Sequence, residues 1–148
     1  MTGIFTQQLQ EFARKTDARV NLVVKKIILD IGTRLVLRSP VGDAKYWTVP
    51  APPGYVGGRF RANWQFGIGN PDLHTDESID PTGAASIGRI NTKVPDEPIG
   101  QIHYITNSLP YAIRLEEGWS RRQAPNGMVR LTTLEFDPIV REAAAQLT

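Results

Sequence analysis

The chain contains no cysteine, which excludes disulfide staples and thiolate metal sites and leaves packing or assembly to hold the fold together. A cytosolic place of synthesis suits a chain without thiols. Long hydrophobic runs are missing as well. The longest, such as Leu22 to Val24 and Ile27 to Leu29, are broken by charges and fall far short of the roughly 20 apolar residues of a membrane span. The first residues, from Met1 to Gln8, lack a basic region followed by an apolar core, so neither secretion nor membrane insertion is expected. A strong excess of one charge is also absent. The net charge of +2 and a pI near 9.1 are mildly basic, well below the concentrated positive charge that dominates binding to a phosphate backbone. Nucleic acid is permitted but not implied.

What is present is ordinary for a globular chain. Hydrophobic residues make up 41% and charged residues 22% of 148 residues, while 13 glycines and 11 prolines point to a loop-rich fold. This length suits one domain, residues 1–148, able to bury a core without staples.

From Gly3 to Leu37 the pattern is that of a long helix, with Thr2 as its cap and Ser39-Pro40 as its stop. Phe5, Leu9 and Phe12 form one stripe, continued by Val20, Val24, Ile27, Ile31 and Leu35. Gly32 is a weak point that could bend it. A helix of this length in so small a domain either wraps the core or projects to neighbours. Val41 to Gly57 is then a loop, broken by Gly42, Pro50, Pro52, Pro53 and Gly54. At its centre Tyr46 and Trp47 either fold back onto the core or anchor another subunit, because aromatics are enriched in buried interface centres.

Gly58 to Ile68 alternates, with Phe60, Trp64 and Phe66 on one face and Arg59, Arg61, Asn63 and Gln65 on the other, which predicts a strand. A second strand is expected over Gln101 to Asn107, by β-branched and aromatic content, and a third over Met128 to Thr132, pairing back across the loop that carries Arg121, Arg122 and Pro125-Asn126-Gly127. Between them, Gly67 to Gly100 is polar and loop-like, with a short helix over Thr82 to Asn91 introduced by Asp80-Pro81. Pro110 to Glu117 reads as a helical segment that Gly118 ends. The last helix starts either at Thr132, through a capping box with Glu135, or at Asp137-Pro138, which is favoured. Its apolar face is Ile139, Val140, Ala143, Ala144 and Leu147. The expected architecture is α+β: a small, mainly antiparallel sheet packed against the long first helix and the last one, with long loops.

Chemistry-bearing constellations are sparse. No Gly-x-Ser-x-Gly, phosphate loop or His-Glu-x-x-His motif occurs. The cluster from Asp72 to Glu77, with His74, lacks a second set of metal ligands and reads as a solvated loop. Glu116 and Glu117 are adjacent on a helix and point about 100° apart, so they read as helix surface rather than a catalytic pair. His103 reads as a hydrogen-bonded structural histidine. No catalytic, cofactor or metal residue is assigned.

The most informative stretch is Ile105 to Val129, "ITNSLPYAIRLEEGWSRRQAPNGMV", whose polar residues sit where turns need them. It resembles the neck and tail-completion proteins of tailed bacteriophages, the minor tail protein Z-like family. A second block, "SPVGD…PPGYVGGRFRANWQ" from Ser39 to Gln65, is similar to the segment that follows the family's first long helix. Members often run directly from Ser-Pro-Val to the Gly-Arg-Leu/Phe-Arg element, whereas here Ala44 to Tyr55 intervene as a Pro-rich insertion. The resemblance implies a non-enzymatic virion protein of the neck, made in the host cytoplasm, which completes the tail and joins it to the filled head. It also implies a ring, six copies by the family, between a head-connector or stopper protein and a tail-terminator or tail-tube protein, with DNA passing through the lumen unread. Two alternatives stay open: the tail-terminator ring itself, against which the Asn-x-x-Pro-Tyr-Ala…Leu-Glu-x-Gly pattern argues, and a small basic nucleic-acid-binding module. Candidate interface residues are Tyr46, Trp47 and Tyr55 of the insertion and Trp119, Arg121 and Arg122 of the later loop.

Overall fold

The computed structural model describes residues 2–147, with side chains described from 3 to 146. The cap expected from the Thr2 side chain and the contribution of Leu147 to the last helix lie outside the described side chains. Helix α1 (Thr2–Arg38) runs without interruption for 37 residues, about 55 Å at 1.5 Å per residue. Only its second half is packed. Ile28, Gly32, Leu35, Val36 and Ser39 recur at helical spacing on the buried face. Gly32 lies on that face: a Cβ there would sit 3.2 Å from Ile90 Cγ2 and 3.6 Å from Ile105 Cδ1, so the glycine serves close packing and the helix continues through it.

The exit from α1 is fixed by side chains distant in sequence. The Arg61 guanidinium donates to the carbonyls of Leu37 (2.9 Å), Ser39 (3.0 Å) and Pro81 (2.7 Å), supplying donors to acceptors that a helix end leaves free. Ser39 donates its hydroxyl to the Leu35 carbonyl and accepts from the Trp64 indole, both at 2.7 Å.

After one 3₁₀ turn at Ala44–Tyr46 come α2 (Arg59–Ala62), β1 (Trp64–Ile68), α3 (Ala84–Lys93), β2 (His103–Asn107), α4 (Ala112–Glu116), α5 (Val129–Leu134) and α6 (Phe136–Leu147). The fold is α+β. Strands β1 and β2 pair antiparallel with Trp64 opposite Asn107 and Ile68 opposite His103. The core joins α1, α2, β1 and α3 to the 109–128 region through Leu35, Val36, Phe60, Trp64, Ile90 and Met128. Helix α6 lies along α1 with Ile139 and Ala143 fully buried, and Arg34 and Arg38 both bind Glu135. No helix among the described residues is long and apolar enough to cross a membrane.

Two predicted strands are corrected. The first half of Gly58 to Ile68 is a helical turn, because Gly58 at φ +117° turns the chain into α2. Phe60, Trp64 and Phe66 are buried as expected, but so are Asn63 and Gln65; the Asn63 amide donates to the Asp76 carbonyl and accepts from the Asp76 amide, a tie to a later loop that alternation cannot report. Met128 to Thr132 lies at the start of α5 instead of forming a third strand. Gly127 at φ +81° redirects the chain there, and the Glu116 carboxylate accepts from the amides of Met128 (2.9 Å), Val129 (3.0 Å) and Arg130 (2.9 Å). That cap comes from another helix, so local β propensity could not reveal it. The Thr132–Glu135 capping box does not form: the Thr132 hydroxyl donates to the Met128 carbonyl, and Glu135 binds the α1 arginines. The last helix begins beside Asp137-Pro138, as favoured. Helix α3 starts two residues later than expected, with buried Asp80 accepting from the amides of Gly83 and Ser86 and from the Ser86 hydroxyl.

Candidate functional site

Two loops converge beyond the C-terminal end of α1. The first leaves Pro40 and returns at Gly58, and its ends touch: a Cβ at Gly57 would overlap the Gly42 carbonyl, and one at Gly42 would overlap the Tyr55 hydroxyl. Asp43 caps the 3₁₀ turn by accepting from the Lys45 amide at 3.1 Å and pairs with the Lys45 ammonium at 3.0 Å. These contacts hold a segment that proline and glycine deny any ladder. They also place the Trp47 and Tyr55 rings 4.6 Å apart.

The second loop follows α4. Gly118 at φ +88° ends that helix and passes so close to Pro125 that any Cβ would overlap its carbonyl. The Trp119 amide donates to the Arg114 carbonyl and the Ala124 amide to the Ser120 carbonyl. Gln123 ties the loops together. The Gln123 amide accepts from Val41 N–H and donates to Val41 C=O, both at 2.7 Å, the two-bond exchange of a backbone pair.

Between the loops lies an open cleft of about 690 Å³ lined by Tyr46, Trp47, Tyr55, Trp119, Arg121 and Arg122. All six residues singled out from sequence thus meet in one place, although 64 positions of chain separate Tyr55 from Trp119 in the numbering of the two loops. Phe60 and Tyr111 form its floor, with ring centroids 6.0 Å apart. Burial raises the Tyr111 pKa, so its hydroxyl stays protonated. Trp119 is 67% exposed and Trp47 40%. Each lies beside positive charge: Arg114 stands 5.0 Å from the Trp119 ring, and Arg122 stands 4.2 Å from the ring of Tyr46, next to Trp47.

Charge in the cleft is unequally satisfied. Arg59 pairs with Glu77 at 2.9 Å, and Asp43 with Lys45. Among the described residues, Arg121 and Arg122 have no carboxylate partner. The site therefore offers aromatic faces and two guanidinium groups, a surface suited to adhesion.

Of the remaining chemistry-bearing residues, Glu116 and His103 bond backbone groups of their own chain. Glu116 caps α5: burial alone would raise its pKa, but the amides of Met128, Arg130 and Val129 outweigh that and hold it below the usual carboxylate range. Glu117 is exposed. His74 and Asp76 bond each other at 3.1 Å in the acidic loop, and no group of three or more His, Asp or Glu placed to hold a metal occurs among the described residues. His103 stacks on Phe66 with centroids 5.8 Å apart and bonds the Pro98 carbonyl at 2.8 Å through Nε2. Sequence reasoning missed Gln123, Gly42 and Gly57 as builders of the cleft. A glycine at each end of the insertion was the available signal.

Protein-family models, curated proteins and solved structures were all compared with the chain, and none matches it.

Proposed function

We propose that the chain is a non-enzymatic structural part of a tailed-phage neck, assembling with copies of itself into a ring of six that completes the tail and joins it to the filled head. The observation that carries this reading is the convergence of two pre-shaped loops on one exposed aromatic cleft. The end of α4 and the loop that follows it carry the Leu-Glu-x-Gly-Trp stretch on which the resemblance to neck and tail-completion proteins rests, and the first loop carries the insertion by which the chain departs from that family. A large exposed tryptophan flanked by arginines without carboxylate partners is the composition of an interface anchor. A head-connector or stopper protein above and a tail-terminator or tail-tube protein below are the further partners of this reading, and DNA passes through the lumen unread.

The distribution of the basic residues favours it over a nucleic-acid-binding module. Arg61 and Arg89 donate to backbone carbonyls of their own chain, and Arg34 and Arg38 are bound to Glu135. Arg59 pairs with Glu77 and Lys25 with Asp96. Guanidinium groups held inward are poor partners for a phosphate backbone, which needs a contiguous charged face.

The test is complementation of a phage lacking this gene with the Trp47→Ala protein, counting joined heads and tails. Trp47 packs on Tyr55 at the rim, so the variant keeps its fold while losing an anchor worth on the order of 2 kcal/mol at each contact, and joining drops. Normal joining by this variant, or an unfolded variant, removes Trp47 from the interface and defeats the reading of the insertion.

A further inference from the structure

Strands β1 and β2 form a sheet of two strands, so each turns one edge away from the other. The phase of their ladder is set at its end, where the Gly69 amide donates to the Ile102 carbonyl at 2.8 Å. Continued along the register, that phase points the backbone N–H and C=O of Tyr104 and Thr106 toward β1 and those of His103, Ile105 and Asn107 away from it.

The two outer edges differ. On β1 the Arg89 guanidinium donates to the Ala62 and Trp64 carbonyls, both at 2.8 Å, and α3 packs alongside. On β2 no hydrogen bond among the described residues reaches the outward N–H or C=O of His103, Ile105 or Asn107. No helix among the described residues packs along β2 as α3 does along β1, and all five of its residues are half-buried. Such a row of unmet donors and acceptors is a template for another strand. Edges are ordinarily blunted by lysine, proline or a bulge. From Gln101 to Ser108 there is no lysine, arginine, carboxylate, proline or glycine, and the pairing with β1 runs without a bulge.

The strand is also complementary to itself. Turned antiparallel about Ile105, two copies set His103 opposite Asn107 and Ile105 opposite Ile105. Every outward residue then meets an outward residue, and each such pair exchanges both of its N–H···O bonds. A slip of one residue would face outward groups with groups already bonded to β1, and a slip of two would lose a pair. No like charges meet. Because Arg89 occupies the β1 edge, each copy offers this one edge, and the contact closes at two copies about a two-fold axis instead of propagating.

We infer that β2 pairs antiparallel with β2 of a second copy, centred on Ile105, giving a continuous sheet in the order β1, β2, β2, β1. Five residues a side is less than a standard interface, so the pairing is weak and concentration-dependent. It is a different contact from one that closes a ring, and it does not depend on the neck reading.

Amide exchange on the unaltered protein is the first test. Between micromolar and millimolar concentration the mass measured by sedimentation doubles, and exchange at His103, Ile105 and Asn107 slows with it. The Tyr104 and Thr106 amides, bonded to β1, are protected throughout. A monomer at millimolar concentration, or a dimer in which the outward amides still exchange freely, overturns the inference. Slow exchange of those amides in the monomer also overturns it, because the chain would then cover its own edge. The absence of cysteine allows a second test, of register. In the paired sheet Tyr104 of one copy stands opposite Thr106 of the other, with Cα atoms about 4.5 Å apart and within disulfide reach. The two Thr106 residues lie on a diagonal about 7–8 Å apart, beyond that reach. Tyr104→Cys and Thr106→Cys proteins of different tag mass, mixed and oxidised, therefore link to each other in preference to themselves. Equal or greater self-linking overturns the centring on Ile105. Near-UV circular dichroism matching the parent shows both variants folded; where one is not, the exchange result on the unaltered protein decides.

Discussion

Glu116 is the residue at which a structural role and a catalytic one give opposite expectations. Its Oε2 accepts from the amides of Met128 and Val129, and its Oε1 from that of Arg130. Met128 is 1% exposed, whereas Val129 and Arg130 are open to water. Truncation by Glu116→Ala therefore strands one buried N–H and leaves two that water can satisfy. The buried donor costs about 1–3 kcal/mol, and the loss of the helix cap as a whole costs on that same scale. A total of about 2–3 kcal/mol lowers Tm by roughly 5–10 °C in a chain of this size. Glu116→Gln keeps one acceptor oxygen and costs about 1 kcal/mol. Glu117→Ala, on the exposed side of the same turn, stays within about 0.5 kcal/mol.

Acid supplies a second signature. The folded Glu116 pKa lies below its unfolded value, so its contribution is fully present above the unfolded pKa and is lost as pH falls through the folded one. The stability gap between the parent and Glu116→Gln narrows on acidification. Urea unfolding followed by far-UV circular dichroism, at neutral pH and again below the ordinary carboxylate range, measures both effects. Equal stabilities for the Glu116 and Glu117 variants, or a gap that widens with acid, would refute the capping argument.

Gly42→Ala places a Cβ on the Tyr55 hydroxyl; the loop must open, and the fluorescence of Trp47, which packs on Tyr55, shifts while the core stays folded. Arg61→Met removes donors from the Leu37, Ser39 and Pro81 carbonyls, costing about 1–3 kcal/mol in urea unfolding; a change under about 0.5 kcal/mol would mean that water replaces the guanidinium freely. Hydrogen bonding from Arg38, opposed by burial and aided by the charges of Arg38 and Arg34, lowers the Glu135 pKa. Its contribution is therefore lost as pH falls through that lowered value, and the protection of α6 amides relative to the intrinsic exchange rate at each pH falls in acid. Glu135→Gln produces the same loss of protection at neutral pH, and unchanged protection in that variant would remove the ion pairs from the account.

The expectations that survived depend on periodicity and on local stops. The long first helix, its end at Ser39-Pro40 and the burial of Phe60, Trp64 and Phe66 were readable because side-chain spacing reports which residues share a face. So were the termination at Gly118 and the start beside Asp137-Pro138, where one residue type suits one backbone geometry. The turn-rich composition of the two loops likewise picked out the aromatics and arginines that line the cleft.

Tertiary structure alone decided the rest, because those features depend on partners far apart in the chain. A turn signal at Pro125-Asn126-Gly127 made Met128 to Thr132 a returning strand, and a carboxylate twelve or more positions earlier made it part of a helix. Alternation set Gln65 on a solvent face, and packing on both sides buried it. The apolar stripe at the start of α1 looked continuous with the stripe that follows it. Only the body's position along and around the helix showed that Phe5, Leu9 and Phe12 are left uncovered. Likewise, contacts between distant residues, the bonds of Gln123 with Val41 and Arg122 over the Tyr46 ring, brought two loops, each legible by itself, together as one cleft.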